Sequence, residues 1–140
     1  MCIGGKCSTQ INVIFDGGSP VSFLEESLAK SLDLKPLRKD VLSLEGICAV
    51  KHSQQKYNRY DVTLQSISDD KQYNLQVYGL NKICSVNHHV DVNLNKLLMK
   101  WGINIQNSQI SENHIHLLIG GDFYWDFVTG KIIRTDFGIV

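Results

Sequence analysis

The sequence predicts a mainly β domain with short helices. Most apolar residues stand in short segments where they alternate with polar residues, which is the period of a strand with one buried face. Apolar residues recur at helical spacing in only three short stretches, and turn-forming glycines and aspartates separate the segments. The chain of 140 residues, 43% of them hydrophobic, has the size of a single domain with its own core.

The first predicted elements are a strand, a tight loop and a helix. Residues 11–15 have the pattern of a strand with one face fully buried and the other mostly so. The strand ends at a loop that begins with Asp16, where two successive glycines permit backbone angles that other residues avoid. Ser22 and Glu25 have the spacing of a capping box, so a helix is predicted at about 23–32.

The middle of the chain predicts a long hairpin followed by another strand. Residues 41–50 are apolar enough for a strand, and residues 60–65 alternate as its return strand. The polar residues 51–56 between them form an exposed tip. A turn at 68–71 then leads to a further alternating strand at 73–77.

The C-terminal part combines short helices and strands. Apolar residues at helical spacing predict an amphipathic helix over 94–101, and a buried strand at 116–119 closes on two glycines. Asp122 has the position of an N-cap for a helical run over 123–128. Residues 131–135 are the last candidate strand.

Composition argues against several classes of partner. The 14 Lys and Arg residues balance 14 Asp and Glu residues, so no basic field is present to hold a nucleic acid or an anionic membrane. No apolar run is long enough for a membrane span, and the first residues lack the apolar stretch of a signal peptide. We therefore expect an intracellular protein, cytoplasmic or nuclear, with a loose segment at 1–10 and one domain at 11–140.

Cysteines and histidines do not form a recognisable metal motif. The cysteines are too sparse for a disulfide framework, so reduced thiols are expected. A zinc site drawn from the available thiols and imidazoles would use Cys2, Cys7, Cys84, His88 and His89. Because this spacing repeats no known paired-ligand pattern, we expect neither a metal nor another cofactor. His114 and His116 alternate on a strand and are expected to be partly exposed.

Two apolar strands that end on glycine-rich loops are the most informative feature of the sequence. The first reads Val-Ile-Phe-Asp-Gly-Gly-Ser at 13–19, and the second reads Leu-Leu-Ile-Gly-Gly-Asp-Phe-Tyr-Trp-Asp at 117–126. With these two blocks the sequence resembles the retropepsin-type aspartic proteases of Bel/Pao retrotransposons. The resemblance extends from about residue 11 to residue 134, and the second block is its more distinctive half.

The resemblance implies a closed acid-protease barrel and a homodimer that cleaves polypeptides. An aspartic protease needs two carboxyl groups about 3 Å apart, one protonated and the other ionised. This chain supplies one such carboxyl group, on the Asp-Gly-Gly-Ser loop that begins at Asp16. A two-fold dimer would therefore be needed to bring two copies of Asp16 together. The neighbouring Gly17, Gly18 and Ser19 would shape the loop around that carboxylate.

The resemblance also implies a flap over the site. The hairpin at about 44–60 corresponds to the flap of the family, which closes over the substrate and excludes water. Its apolar part consists of Gly46, Ile47, Cys48, Ala49 and Val50.

Position 17 departs from the family pattern and leaves two functions open. The family carries Ser or Thr where this chain has Gly17, and that hydroxyl bonds across the dimer to the opposite loop. Losing such a pair of buried bonds costs about 1–3 kcal/mol. The chain is therefore either a protease whose dyad has lost a support, which Ser19 could replace, or a non-catalytic module for dimerisation or peptide binding.

The remaining residues of the two blocks have structural interpretations. Asp16 taken alone would be interpreted as a turn carboxylate, and its combination with the second block favours a catalyst. Asp122 is interpreted as a helix cap rather than an acid. Phe123, Tyr124 and Trp125 are interpreted as core and dimer-contact residues rather than as a ligand site.

Overall fold

The computed structural model describes residues 2–4, 7–43, 54–67, 69–84, 99, 102, 114–132, 134–135 and 138–139. Within these residues the fold is mainly β with short helices, which confirms the predicted class. The strands are β1 (Cys2–Gly4), β2 (Cys7–Thr9), β3 (Val13–Phe15), β4 (Phe23–Glu25), β5 (Arg38–Ser43), β6 (Gln54–Gln65), β7 (Gln72–Leu80), β8 (Leu117–Ile119), β9 (Arg134–Thr135) and β10 (Gly138–Ile139). The helices with described bounds are α1 (Glu26–Ser31) and α2 (Tyr124–Phe127).

Eight of the described strands form one mixed sheet. Its order is β2-β1-β6-β7-β4-β8-β3, and β5 pairs with β6 beside this path. β4 runs parallel to β7 and β3 runs parallel to β8, whereas β8 and β4 are antiparallel. Over the described ranges the sheet is open, so the closed barrel and the dimer remain predictions.

The core lies where α1 packs beside β4 and β7. Alternation in the strands directs every second apolar side chain to the same face of the sheet. The buried cluster consists of Ile11, Leu24, Leu28, Ala29, Leu32, Tyr60, Val62, Leu64, Leu75, Val77, Leu117 and Ile119. Because β4 and β8 both contribute fully buried side chains, the strands that carry the candidate loops are anchored in this core.

The first helix begins later than predicted. α1 starts at Glu26, and residues 23–25 form β4, which pairs with both β7 and β8. The capping box is wrong, because Ser22 makes no cap bond and its hydroxyl instead bonds to a distant loop. Burial of Phe23 and Leu24 in the sheet outweighs their local helical spacing.

Strands at both ends of the chain also differ from the prediction. The segment expected to be loose at 1–10 contains β1 and β2, and β1 pairs with β6. The strand predicted at 11–15 is confined to β3, and its last residue, Phe15, is 46% exposed rather than buried. The last candidate strand begins at Arg134 instead of residue 131. It pairs antiparallel with β10.

The predicted hairpin is confirmed in that its two strands pair, but β5 begins at Arg38 rather than at residue 41 and β6 begins at Gln54, so residues 54–56 belong to a strand and not to the tip. β5 pairs antiparallel with β6, from Arg38 opposite Arg59 to Ser43 opposite Gln54. Between β6 and β7, where a turn is predicted, the Ser66 N–H donates to the Lys71 carbonyl at 2.8 Å. The flap residues Gly46, Ile47, Cys48, Ala49 and Val50 and most of the helix predicted at 94–101 lie outside the described residues.

A charged cluster holds the base of the hairpin to β7. The Asp40 carboxylate accepts bonds from Arg38 Nε at 2.8 Å, from the Tyr78 hydroxyl at 3.2 Å and from Arg59 Nη1 at 3.5 Å. The hydrogen bond from Arg38 is the main cause that lowers the pKa of Asp40. The guanidinium of Arg59 also lies over the ring of Tyr78, 5.4 Å from its centroid. One carboxylate therefore links three neighbouring strands.

We expect the replacement Asp40→Asn to lower stability at neutral pH and to have no effect in strong acid. Because the pKa of Asp40 is lowered in the folded chain, its contribution is complete above the pKa of an unfolded aspartate, about 3.9. That contribution is lost as the pH falls through the folded value. Melting temperatures measured from neutral pH into strong acid should therefore converge for the parent and the variant. A constant difference would contradict this, and Asp61→Asn on β6 is the matched control.

Candidate active site

Two loops meet where the parallel strands β3 and β8 end. The register pairs Phe15 with Ile119, the last residues of the two strands. The backbone N–H of Asp16 extends this pairing by donating to the Ile119 carbonyl at 2.9 Å. Asp16 therefore leaves the sheet at a fixed point beside the second glycine-rich loop.

Asp16 is exposed on the loop that follows β3. Its Oδ1 accepts a hydrogen bond from the N–H of Gly18 at 3.0 Å, and its backbone carbonyl accepts one from the N–H of Ser19 at 3.1 Å. The Ser19 hydroxyl donates to the Val21 carbonyl at 2.8 Å, so it is engaged within its own loop. These bonds orient the carboxylate of Asp16 and leave it open to a ligand.

A side-chain bridge joins the two loops. The Ser22 hydroxyl donates to Asp122 Oδ1 at 2.6 Å, and the Ser22 N–H donates to Asp122 Oδ2 at 3.1 Å. The same hydroxyl accepts the Gly120 N–H at 2.9 Å, and the Gly121 N–H donates to the Ser19 carbonyl at 2.7 Å. Charge-assisted bonds to a fully buried serine make this bridge a strong constraint on the Asp16 loop.

The predicted role of Asp122 as a helix cap is wrong. α2 begins at Tyr124 and its N-cap residue is Phe123, with no side-chain cap bond. Both carboxylate oxygens of Asp122 are used by Ser22 instead. A buried N–H and a buried hydroxyl bond more strongly to the carboxylate than the solvent-accessible start of a four-residue helix.

The glycines of the two loops differ in the space around them. A Cβ at position 120 would lie 2.4 Å from the Val21 carbonyl oxygen, so only glycine fits there. A Cβ at position 18 would lie 3.2 Å from Asp16 Oδ1, which is tight. A Cβ on Gly17 would only touch the ring of Tyr124 at 3.7 Å, an ordinary contact. Packing therefore does not require glycine at position 17.

Five aromatic rings form a continuous row beside the Asp16 loop. Neighbouring centroids are 4.4 Å apart for Tyr73 and Phe127, 5.5 Å for Phe127 and Phe15, 6.4 Å for Phe15 and Tyr124, and 5.1 Å for Tyr124 and Trp125. We call this set the aromatic row. Trp125 is 74% exposed, so its interpretation as a core residue is wrong. Phe123 and Phe127 are partly buried against the core.

A second polar cluster was not predicted from the sequence. The Glu25 carboxylate, with a side chain 5% exposed, lies 2.5 Å from His114 Nε2 and accepts the Ser27 hydroxyl at 2.9 Å. These side chains and His116 line a cavity of about 320 Å³. His114 and His116 are partly exposed, as expected. No local motif could reveal the pair, because Glu25 and His114 are 89 positions apart.

The described part of the chain contains no group of three His, Cys, Asp or Glu side chains placed to hold a metal ion. Cys7 is exposed and Cys84 is half-buried, while His88 and His89 lie outside the described residues. His116 Nδ1 accepts the N–H of Asn12 at 3.3 Å, which occupies one of its ring nitrogens. The expectation that these residues hold no metal therefore stays a prediction, because the side chains of Cys2, His88 and His89 are not among those described.

Comparisons with protein-family models, with curated proteins and with solved structures find no match. Among the described helices, none has the length and apolar character needed to cross a membrane. The chemistry of the Asp16 loop is therefore the basis on which a function can be proposed.

Proposed function

We propose that this chain is a retropepsin-like aspartic endopeptidase domain that acts as a homodimer. The main support for this proposal is the carboxylate of Asp16, which is exposed at the end of β3 and accepts a hydrogen bond from the N–H of Gly18 at 3.0 Å. The bridge between Ser22 and Asp122 supports the proposal because it holds the loop of Asp16 against the second loop. A catalytic carboxylate needs this combination of access and fixed orientation.

The proposed chemistry uses two copies of Asp16 across a two-fold axis. One carboxyl group stays protonated and donates a hydrogen bond to the scissile carbonyl, while the other carboxylate takes a proton from the attacking water. The substrate is an extended polypeptide with mostly apolar residues at the cleavage site. The barrel and the flap at about 44–60 belong to the same proposal.

A non-catalytic dimerisation or peptide-binding module is the second candidate. Gly17 favours it, because this position lacks the hydroxyl that supports the dyad in the family. The Ser19 hydroxyl is engaged with Val21, so it does not replace the missing group within the single chain.

We expect the replacement Gly17→Ser to raise peptidase activity or tighten the dimer by about tenfold, since it restores a hydroxyl for a cross-dimer bond. The side chain has room, because its Cβ would lie 3.7 Å from the ring of Tyr124. Gly17→Ala is the matched control, since it adds the Cβ without the hydroxyl. Equal activity and equal association of both variants and the parent would contradict the role assigned to the missing hydroxyl.

Specific activity should depend on both pH and protein concentration. Only the singly protonated dyad is active, so the rate against a peptide library should follow a bell on the acidic side of neutrality. Only dimers hold a dyad, so specific activity should fall when the protein is diluted about a hundredfold through its dissociation range. A flat pH profile, or activity in a preparation shown to be monomeric, would favour a different catalytic group. A stable dimer without cleavage would favour the binding module.

A further inference from the structure

A cavity of about 320 Å³ lies at the end of β4 that is remote from Asp16. Because β4 and β8 are antiparallel, the end of β8 beside the Asp16 loop faces the start of β4, and the end of β4 lies beside the residues that precede β8. The backbone N–H of Glu25 donates to the His116 carbonyl at 2.9 Å, which fixes this end of the strand pair. The residues that line the cavity belong to neither glycine-rich loop, so it is separate from the candidate active site.

One buried carboxylate faces this cavity. The Glu25 side chain is 5% exposed, and its Oε2 lies 2.5 Å from His114 Nε2 and accepts the Ser27 hydroxyl at 2.9 Å. An ionised carboxylate accepts hydrogen bonds and donates none, so a neutral His114 ring carries its hydrogen on Nε2 in this pair. Neither bond uses Oε1 of Glu25, so this oxygen keeps its capacity to accept a hydrogen bond from a ligand.

The wall that α1 contributes offers further acceptors. Ser27 and Ser31 are one helical turn apart on α1, and both line the cavity. The Ser27 hydroxyl donates to Glu25, and the Ser31 hydroxyl donates to the Leu28 carbonyl at 2.9 Å. Since a hydroxyl has a single hydrogen, both oxygens have lone pairs to offer to a ligand. Such a wall favours a ligand that is rich in N–H donors.

The charge of the cavity gives the same preference. Among the described residues that line it, none is Lys or Arg, and Glu25 is the only acidic one. When the histidines are neutral the cavity therefore carries one negative charge, and a buried charge is stabilised by an opposite charge. Ile11 and Leu28 line the same cavity and provide apolar contacts for a short alkyl chain. Ser27 and Ser31 are exposed, so a ligand has access from the side of α1.

We propose that this cavity binds a small organic cation whose head group is a primary ammonium or a guanidinium. The head group donates to Oε1 of Glu25 and to the hydroxyl oxygens of Ser27 and Ser31, while the alkyl chain packs against Ile11 and Leu28. The volume is near the lower limit of ligand pockets, which span about 300–1,000 Å³, so the ligand is short. A metal ion fits less well, because the described residues hold no group of three ligating side chains placed around one point.

The test is a titration of the full chain with n-butylamine and n-butylguanidine, followed through the NMR signals of the His114 and His116 rings. It is made at about pH 8, where histidine side chains are ordinarily neutral. We expect saturable shifts with a dissociation constant in the millimolar range, as is usual for ligands of about five to eight heavy atoms. Butanol and butyrate, the neutral and anionic compounds of the same chain length, should produce none.

Two variants locate the bound cation. Ser31→Lys should weaken binding at least about tenfold, because its ammonium group repels the ligand and competes for Glu25. Ser43→Lys is its matched control, since Ser43 is also exposed but lies on β5 outside the cavity. Glu25→Gln should weaken binding about tenfold or more, because a hydrogen bond to a neutral amide is weaker than one to a carboxylate. Glu26→Gln is its matched control, since Glu26 bonds to Tyr60 instead of lining the cavity.

Thermal unfolding verifies that each variant folds, and Ser31→Lys, at an exposed position, decides the test if Glu25→Gln is unstable. Saturable binding of either cation that is weakened in the cavity variants and kept in their controls supports the proposal, and the tighter ligand identifies the head group. Equal binding of butanol or butyrate overturns it, because the cavity then does not select a cation. Binding that persists in the cavity variants overturns it in favour of another surface, and the absence of saturable shifts overturns it in favour of a cavity that holds water.

Discussion

Replacing Asp16 with Asn is expected to reduce peptide cleavage by at least about a thousandfold. The amide keeps the size of the side chain but cannot share a proton with its counterpart in the dimer. Asp16 is exposed and its backbone bonds do not need the charge, so the melting temperature should change little. Cleavage of a peptide library at acidic pH, followed by mass spectrometry, measures the loss.

Asp33→Asn is the matched control for this experiment. Asp33 is also exposed, and its φ of 52° is a backbone conformation that asparagine adopts readily. This control should cleave like the parent. Cleavage that persists in Asp16→Asn would eliminate Asp16 as the dyad residue, whereas loss in both variants would point to a general effect of charge.

Replacing Asp122 with Ala is expected to destabilise the fold by about 2–3 kcal/mol, because it leaves the N–H and hydroxyl of the buried Ser22 without their carboxylate acceptor. In a domain of this size the loss lowers the melting temperature by roughly 6–10 °C. The substitution also removes the bridge between Ser22 and Asp122 that holds the two loops together. Cleavage should therefore fall even at temperatures where the variant is still folded. Thermal unfolding and activity are measured on the same preparation.

Two further variants test whether Asp122 acts through its bonds to Ser22. Asp122→Asn keeps one acceptor oxygen and should lose about half as much stability. Ser22→Ala removes the other side of the bridge, and a double-mutant cycle with Asp122→Ala should give a coupling free energy of about 1–3 kcal/mol. Additive effects would mean that the two side chains do not act through each other. A stable variant that has lost activity would instead assign Asp122 a direct role at the site.

The sequence alone predicted the features that depend on neighbours in the chain. Alternation in β6 and β7 sets their strand character, and a strongly polar turn near Asp69 and Asp70 joins them. The position of Asp16 directly after β3 followed from an apolar run that ends on two glycines. These inferences held because local backbone preference and burial favour the same structure there.

Only the tertiary structure decided where the side chains with several possible partners would bond. Ser22 and Asp122 each looked like a helix cap, but 100 positions of sequence separate them and they bond to each other. Glu25 looked like the second half of a capping box, and it instead meets His114. In each case one partner of the long-range bond, Ser22 or Glu25, is buried in the fold, so leaving it without a partner would cost more than giving up a local cap bond at the surface. The sequence thus determined that β3, β6, β7 and β8 became strands and where the exposed carboxylate stands. Long-range packing decided that residues 23–25 became a strand rather than a helix and which polar groups hold that carboxylate in place.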